Sequence, residues 1–385
     1  MNYNKIDFSE ENTDHLIEAI QGEKRYPTVI AFGGIHGNEQ SGVRALESIM
    51  QQIKDFQIPF KGSFYTIKGN LKAIKDNKRF VDVDLNRIWN RSRINKLNEL
   101  TSEISEIEEQ KKLYKLIKQI LNTNRGPFYF LDLHTTSSHT VPFITISDSL
   151  NNRRFTSKFK LPVILGIEEY LEGPLLTYLN EFGHISLGFE AGQHEKDSSI
   201  IHCESFLWLA LVYSGCIRKQ NIQKYREYKS ILGLYKSSTF YHIKHKYRIE
   251  EGEKFTMNKG YTNFQEIQKG ETMAESDGKL IKAPQSGQIF MPLYQNQGED
   301  GFFIVTKISS FWLILSRILR KLNLHEGLRL LPGVKKVSDY TLRVNPKTAR
   351  FLTTQIFHLF GYRKRVKKEQ RWYFTKRDRK ISPLN

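Results

Sequence analysis

The first 225 residues alternate short β-branched or aromatic runs with longer segments whose apolar residues recur at helical spacing. Five of the short runs predict strands, at 26–34, 63–70, 127–134, 141–147 and 184–192. Helical periodicity predicts helices over 39–53, much of 97–122 and about 197–219. This alternation favours an α/β domain with strands inside and helices outside.

The sequence pattern changes at about Phe240, where recurring glycines separate short runs of alternating apolar and polar residues. Regular turn residues between runs of period two are typical of a small β domain, either a barrel or a sandwich. Residues 308–322 have the pattern of a basic amphipathic helix. We therefore predict an α/β domain over 1–225, a β-rich domain over 226–306 and a basic C-terminal extension over 307–385.

The composition favours a globular protein, because 39% hydrophobic and 26% charged residues among 385 exclude a largely disordered chain. The polar, acidic start of the chain does not resemble a secretory signal. The longest apolar runs, at 206–213 and 311–315, are far shorter than the ~20 residues of a membrane-spanning helix. Cys203 and Cys216 are too few for a disulfide framework. A cytoplasmic location is the resulting expectation.

The net charge of +18 is concentrated near the C-terminus, because residues 307–385 hold 20 Lys and Arg against 4 Asp and Glu. The amphipathic helix could lie weakly on an anionic membrane surface. Alternatively, the basic run 363–380 could contact nucleic-acid phosphates while Trp372, Tyr373 and Phe374 stack on bases. A third possibility is that residues 341–362 pack against the body and leave the basic groups as a solvated face.

Two histidines and a glutamate form a candidate metal site. His36 and Glu39 stand three apart in the Gly-rich loop GGIHGNEQSG (33–42), which allows both side chains to reach one cation. Taken alone, this loop could equally be a solvated turn in which Glu39 favours the start of the following helix. His134 ends the third predicted strand, and Asp132 lies on the same side of that strand, where it could orient the imidazole. Two histidines and one carboxylate with an open fourth position are the ligand set of a catalytic zinc.

A polar stretch, RFVDVDLNRIW (79–89), carries Arg79, Asp84, Asn86 and Arg87 between apolar residues. Arginine presents a planar fork to carboxylates, and near a polarised carbonyl it stabilises a developing oxyanion. An ordinary salt-bridged loop is the alternative for this stretch taken alone. Glu190 interrupts the apolar strand of LGFEAG (187–192), where a carboxylate is costly unless it is paired or takes a proton from water.

In this order and spacing, the G-x-H-G-N-E loop, the R-F-x-D-x-D-L-N-R stretch, the D-L-H strand end and the late E-x-G resemble the aspartoacylase and succinylglutamate desuccinylase family. This family is a branch of the zinc carboxypeptidase-like enzymes. The resemblance covers roughly residues 28–306, including the β-rich domain. It implies a zinc-carboxypeptidase-like mixed central sheet flanked by helices, with residues 1–225 as the zinc-dependent catalytic domain.

The resemblance also implies roles for the metal site. His36, Glu39 and His134 would bind one Zn²⁺ per chain, and Glu190 would be the general base for the attacking water. Arg79 matches the arginine that polarises the scissile carbonyl.

Asn86 and Arg87 match the pair that holds a free carboxylate of the substrate. The activity implied is hydrolysis of the amide bond of an N-acyl amino acid or a related small acylated amine. The alternatives are a carboxypeptidase-like hydrolase of short peptides, or a non-catalytic protein of the same fold that binds membrane or nucleic acid.

Two departures from the family limit the prediction of the substrate. Aspartoacylase has a second carboxylate-binding arginine ten residues before the general base, and here that position is Asn180. No arginine occurs within 155–217. The tyrosine that the family's β domain contributes to the active site has no clear match, and Tyr294 is the nearest candidate for substrate binding.

Overall fold

The computed structural model of the chain describes residues 14–100, 103–235, 238–345, 347–348, 353–368 and 371–384. The polar start 1–13 lies outside these residues. Positions 346 and 349–352 of the segment 341–362 also lie outside them, as do positions 369–370 of the basic run and the side chains of 364–368.

The described residues form strands and helices throughout. In chain order the strands are β1 (Leu16–Ile20), β2 (Thr28–Gly33), β3 (Ser63–Lys68), β4 (Phe128–Thr136), β5 (Phe143–Ile146), β6 (Val163–Leu165), β7 (Ile185–Gln193), β8 (Phe240–Arg248), β9 (Phe255–Met257), β10 (Glu266–Ile267), β11 (Thr272–Ser276), β12 (Lys279–Lys282), β13 (Gly287–Phe290), β14 (Asp300–Lys307), β15 (Val334–Ser338), β16 (Thr341–Val344), β17 (Tyr362–Lys368) and β18 (Arg371–Lys376). The helices are α1 (Ser41–Asp55), α2 (Leu71–Asp76), α3 (Arg91–Ile94), α4 (Ser105–Thr123), α5 (Leu150–Thr156), α6 (Leu175–Asn180), α7 (Asp197–Ser214), α8 (Tyr225–Gly233), α9 (Ser310–Lys321) and α10 (Thr353–Leu359). Short 3₁₀ helices lie at Leu85–Arg87, Leu97–Glu99, Ile167–Glu169, Lys219–Asn221 and Leu324–Leu330.

A large mixed sheet with helices on both faces confirms the predicted α/β class. Its strand order is β1-β3-β2-β4-β7-β5-β6-β8-β14-β13-β10. The strands β3, β2, β4 and β7 are parallel neighbours, whereas β5 runs antiparallel to β7. Because β2, β4 and β7 are adjacent and parallel, the residues that follow their buried runs meet at one edge of the sheet.

The core consists of two apolar layers, one on each face of this sheet. Along β2, Val29 and Ala31 belong to the layer under α1 and α7, whereas Ile30 and Phe32 belong to the layer under α4. Successive side chains of a strand point to opposite faces, so a continuous apolar run is what a strand covered on both sides requires.

The β-rich segment is less separate than the sequence indicated. β8 pairs in parallel with β6, and β14, β13 and β10 continue from β8, so these strands extend the central sheet. The strands β9, β11 and β12 form a separate three-stranded sheet. Turn signals locate strands along the chain but carry no information on which sheet edge each strand joins.

The described residues of 310–384 form a folded C-terminal module. The strands β15, β16, β18 and β17 make a four-stranded antiparallel sheet. Its apolar cluster is lined with side chains from the sheet, from α10 and from the preceding 3₁₀ helix: Leu328, Val334, Leu342, Val344, Phe357, Tyr362 and Phe374. The predicted amphipathic helix 308–322 is α9.

A buried ionic network joins this module to the central sheet. Asp148, which is fully buried just after β5, accepts hydrogen bonds from the guanidinium groups of Arg153, Arg320 and Arg363 at 2.6–3.0 Å. Burial alone would raise the pKa of Asp148, but the three cations hold it well below its usual range. Arg377 pairs with buried Glu168 in the same way, at 3.1 Å. The module is therefore attached to the central sheet by buried ion pairs, and breaking one of them would destabilise the protein.

Candidate active site

The predicted site residues come together at the edge where β2, β4 and β7 end. His36 and Glu39 follow β2, His134 lies near the end of β4, and Glu190 lies opposite His134 on β7. All four side chains are buried. Sequence order alone could not show that these strands are neighbours.

The loop between β2 and α1 needs glycine at two positions. Gly34 has a φ of 72°, which side chains rarely adopt. A Cβ atom on Gly37 would overlap the backbone of Ala73. The loop thereby turns back on itself and presents His36 and Glu39 to the same point.

Glu39 is the centre of the cluster. Its Oε1 lies 2.9 Å from His36 Nδ1, and its Oε2 lies 2.9 Å from His134 Nδ1. The backbone N–H of Thr135 also donates to Oε2, at 2.9 Å. Burial alone would raise the pKa of Glu39, but the two imidazoles hold it well below its usual range. The carboxylate is therefore ionised at neutral pH.

The second ring nitrogen of each imidazole contacts an aspartate. His36 Nε2 lies 3.1 Å from Asp84 Oδ1, and His134 Nε2 lies 2.7 Å from Asp132 Oδ2. Burial would lower the pKa of His134, but Asp132 and Glu39 raise it well above its usual range. The pairing of Asp132 with His134 confirms the prediction made from the strand period. The pairing of Asp84 with His36 was not predicted, because the two residues are 48 positions apart.

These residues fit a divalent metal ion. One donor atom from each of His36, Glu39 and His134 lies within 4.8 Å of the other two. In metal sites the second ring nitrogen of a histidine ligand is commonly held by a carboxylate, as Asp84 and Asp132 do here. Two imidazoles with one carboxylate form a donor set typical of catalytic zinc.

Glu190 has the environment of an acid–base group. Its Oε2 atom is buried and has no hydrogen-bond partner among the described residues. Burial raises the pKa of Glu190 to about 8, and the charges of Glu39 and Asp132 act in the same direction. A carboxyl group with such a pKa exchanges a proton near neutral pH.

The stretch 79–89 is held in place by a buried carboxylate that sequence reasoning missed. Glu106, at the start of α4, accepts hydrogen bonds from the backbone N–H groups of Val81, Asp82 and Val83. Glu106 is fully buried, which is unusual for a glutamate unless its carboxylate is paired or hydrogen-bonded. The anchored loop directs Arg79 to Glu39 at 3.4 Å and to Asp84 at 3.1 Å.

Asn86 and Arg87 line the same cavity, but both have partners within the chain. Asn86 Oδ1 accepts a hydrogen bond from the backbone N–H of Leu175 at 3.0 Å. Arg87 pairs with Asp300 of β14 at 3.0 Å, and Lys246 pairs with the same aspartate. Sequence reasoning did not anticipate Asp300, which the extension of the central sheet brings to the cavity.

The cavity has a volume of about 120 Å³ and is lined by His36, Glu39, Arg79, Asn86, Arg87, His134 and Glu190, together with residues of 291–300. The structure does not bring Tyr294 into it. The Tyr294 hydroxyl donates to the carbonyl of Asn258 at 2.8 Å and accepts from the N–H of Tyr261. Asn180 does not line the cavity either. Its side-chain amide donates a hydrogen bond to the backbone carbonyl of His184.

The sheet and the cluster at its edge define a mixed α/β domain with a candidate metal centre. Residues 25–200 match the family model described as the succinylglutamate desuccinylase/aspartoacylase catalytic domain. This match confirms the resemblance stated from the sequence motifs.

Curated relatives match over short segments. A succinylglutamate desuccinylase of Photorhabdus laumondii is 29% identical over 80 residues, which are 21% of this chain and 25% of the relative. An N-acyl-aromatic-L-amino acid amidohydrolase (carboxylate-forming) B of Danio rerio is 33% identical over 72 residues, which are 17% of this chain and 22% of the relative. The chain thus matches about a quarter or less of the length of these relatives.

Solved structures match over much more of the chain. The succinylglutamate desuccinylase of Vibrio parahaemolyticus superposes with a TM-score of 0.56 at 17% identity, over 75% of this chain and 84% of that chain. A succinylglutamate desuccinylase/aspartoacylase of Rhodobacter sphaeroides gives a TM-score of 0.54 at 15% identity, over 76% of this chain and 88% of that one. At such low identity these matches show a common fold.

Proposed function

We propose that this protein is a zinc-dependent hydrolase that cleaves the amide bond of a small N-acyl amino acid or acylated amine. The observation that carries the proposal is the convergence of His36, Glu39 and His134 beside Glu190, whose buried Oε2 has no hydrogen-bond partner among the described residues. The match of residues 25–200 to the desuccinylase/aspartoacylase catalytic-domain family model supports the same reaction.

In this proposal the metal is held by His36, Glu39 and His134. When bound, zinc supplies a Lewis acid that polarises a carbonyl group and lowers the pKa of water. Glu190 takes the proton from the attacking water and delivers it to the leaving amine. Burial raises its pKa to about 8, and a bound cation would lower the pKa and so favour the ionised form that acts as the base. Asp84 and Asp132 fix the orientation of the two imidazoles.

Arg79 and Arg87 have separate tasks. Arg79 lies beside the metal-binding carboxylate, where its guanidinium stabilises the negative charge that develops on the carbonyl oxygen. Arg87 provides a cation for a free carboxylate of the substrate. Because Asp300 already pairs with Arg87, a substrate carboxylate must compete with that pair or share the guanidinium with it.

The cavity favours a small substrate. Its volume of about 120 Å³ is below the ~300–1,000 Å³ of drug-sized ligand pockets, which disfavours a long peptide. A dipeptide is no larger than an N-acyl amino acid, so the volume does not separate these two classes of substrate. The relatives in the comparison are named for succinylglutamate and for N-acyl aromatic amino acids, so both belong in any panel of candidate substrates.

The test is the release of primary amine from N-acetyl, N-succinyl and N-acyl-aromatic amino acids and from dipeptides. Untreated, chelated and zinc-restored protein are compared, together with His134→Asn and the control His139→Asn, which changes an exposed neighbouring histidine. We expect release by untreated and zinc-restored protein and by the control, and none after chelation or in His134→Asn. Faster cleavage of dipeptides would support the carboxypeptidase-like alternative instead. No release from any compound by zinc-loaded protein would contradict the proposal.

A further inference from the structure

Helix α9 has a stripe of apolar side chains that is exposed to solvent. Phe311, Ile314, Ile318 and Leu322 are about half or more exposed and follow one another at helical spacing. Trp312 is also 49% exposed and packs edge-to-face on Phe311. Helices of soluble proteins normally bury such a stripe, so its exposure here requires an explanation.

The exposed apolar surface continues past the helix. Leu324, Leu330 and Leu331 are exposed in the segment that follows α9. More than half of the large exposed apolar side chains in the described part of the chain lie within 311–331. Scattered exposed apolar residues are ordinary, whereas a contiguous group of them marks an interaction surface.

A basic groove lies along one side of α9. It has a volume of about 450 Å³, and its lining includes Arg154, Arg317 and Lys321 but no acidic residue among those described. These three side chains are exposed and form no ion pair with the described residues. The groove therefore offers cations to an anionic group that approaches next to the apolar stripe.

A second cavity lies on the other side of the helix. It has a volume of about 610 Å³, and its walls combine apolar side chains such as Trp312 and Leu313 with the cations Lys307 and Arg363. Leu313 lines both the basic groove and this cavity. Basic side chains therefore lie on both sides of the helix that exposes the apolar stripe.

These features fit a lipid bilayer better than the other partners considered. Two of the rings expected to stack on bases are occupied within the module, because Phe374 is fully buried and Trp372 packs against the same apolar cluster. A second copy of the chain would bring two strongly basic surfaces together, which is unfavourable. No helix among the described residues is long and apolar enough to cross a membrane.

We propose that α9 binds flat on the surface of an anionic phospholipid bilayer. Phe311, Trp312, Ile314 and Ile318 enter the boundary between head groups and acyl chains, as in other amphipathic helices with Trp and basic residues. Arg317 and Lys321 contact the lipid phosphates. The inference rests on surface features alone and does not depend on the proposed hydrolysis.

The test uses the full chain and vesicle flotation, because truncation at 307 would remove Arg320, Arg363 and Arg377 from the buried carboxylates they neutralise. Vesicles of phosphatidylcholine are compared with vesicles in which a third of the lipid is phosphatidylglycerol. We expect binding to the anionic vesicles that weakens with added salt. Each of Arg317→Gln and Lys321→Gln should weaken binding about fivefold.

The apolar contribution is tested with Ile318→Ser, which should weaken binding about tenfold. Leu280→Ser is the matched control, because Leu280 is 63% exposed on β12, outside the 311–331 surface. Brominated phosphatidylcholine should quench the fluorescence of Trp312, and Trp312→Phe should abolish that quenching. Far-UV circular dichroism and thermal unfolding confirm that each variant is folded.

Absence of binding to the anionic vesicles would overturn the inference. So would binding that Ile318→Ser and the two charge variants leave unchanged. A dimer that Ile318→Ser dissociates, without vesicle binding by the native chain, would show instead that the stripe is an interface between copies. Retention of an oligonucleotide but not of vesicles would assign the surface to nucleic acid.

Discussion

Replacing Asp148 with alanine is expected to destabilise the protein strongly. Asp148 is fully buried and is the shared partner of Arg153, Arg320 and Arg363. Its removal leaves buried Arg153 without a carboxylate partner among the described residues, whereas Arg320 keeps Asp378 and Arg363 keeps Glu169. Breaking one buried pair costs ~3–5 kcal/mol, so at least about 4 kcal/mol is expected here. At ~2 °C per kcal/mol, the midpoint of thermal unfolding should fall by roughly 8 °C or more.

The assay is thermal and urea-induced unfolding followed by circular dichroism. The matched control is Asp339→Ala, which removes an exposed aspartate paired with Lys336 and should leave the midpoint unchanged within error. Adding Arg153→Met to Asp148→Ala should restore part of the loss, because burial and two neighbouring guanidinium groups already lower the pKa of Arg153. The reasoning is refuted if Asp148→Ala costs no more than the control, or if Arg153→Met destabilises the Asp148→Ala protein further.

Three further results are expected. The pKa of Asp148 is well below its usual range, so its stabilisation of the fold is complete above about pH 4 and is lost as the pH falls below that value. The difference in unfolding free energy between native protein and Asp148→Ala should therefore become smaller in acid. A difference that stays constant with pH would contradict this. Arg79→Met should lower kcat by about 10²–10³ in the amine-release assay, and an unchanged kcat would exclude a role on the carbonyl oxygen. On the acid side, kcat/KM should rise with pH as Glu190 ionises, with a midpoint between its ordinary pKa of 4.5 and about 8. Burial raises this pKa, whereas a bound cation lowers it. A kcat/KM that does not depend on pH in this range would show that Glu190 is not the base.

The sequence was a good guide to the strands and to the main site residues. The long apolar runs that became β2, β4 and β7 are covered on both faces, which gives a strong and continuous pattern. Short elements such as β6 and α6 were missed, because three to six residues hold too little periodicity to recognise. The pairing of Asp132 with His134 followed from the strand period alone.

Contacts between distant parts of the chain were beyond sequence reasoning. Asp84 reaches His36 across 48 positions, and Asp300 reaches Arg87 across 213 positions. Glu106 is one of several charged residues in α4, and the sequence does not distinguish it from the others, although it anchors the loop that carries Arg79. Tyr294 was only the nearest candidate for a family tyrosine without a clear match in this sequence, and its hydroxyl bonds to backbone groups outside the cavity. The domain boundaries and the cytoplasmic location remain predictions.

The central claim is that Glu190 acts as the base beside a metal held by His36, Glu39 and His134. The most direct measurement is the rate of amine release by native protein and Glu190→Gln when each carries one zinc ion per chain, with Glu275→Gln as an exposed control. The account predicts that Glu190→Gln retains zinc but is slower by about 10²–10⁴, while the control keeps the native rate. A native rate in zinc-loaded Glu190→Gln would contradict it.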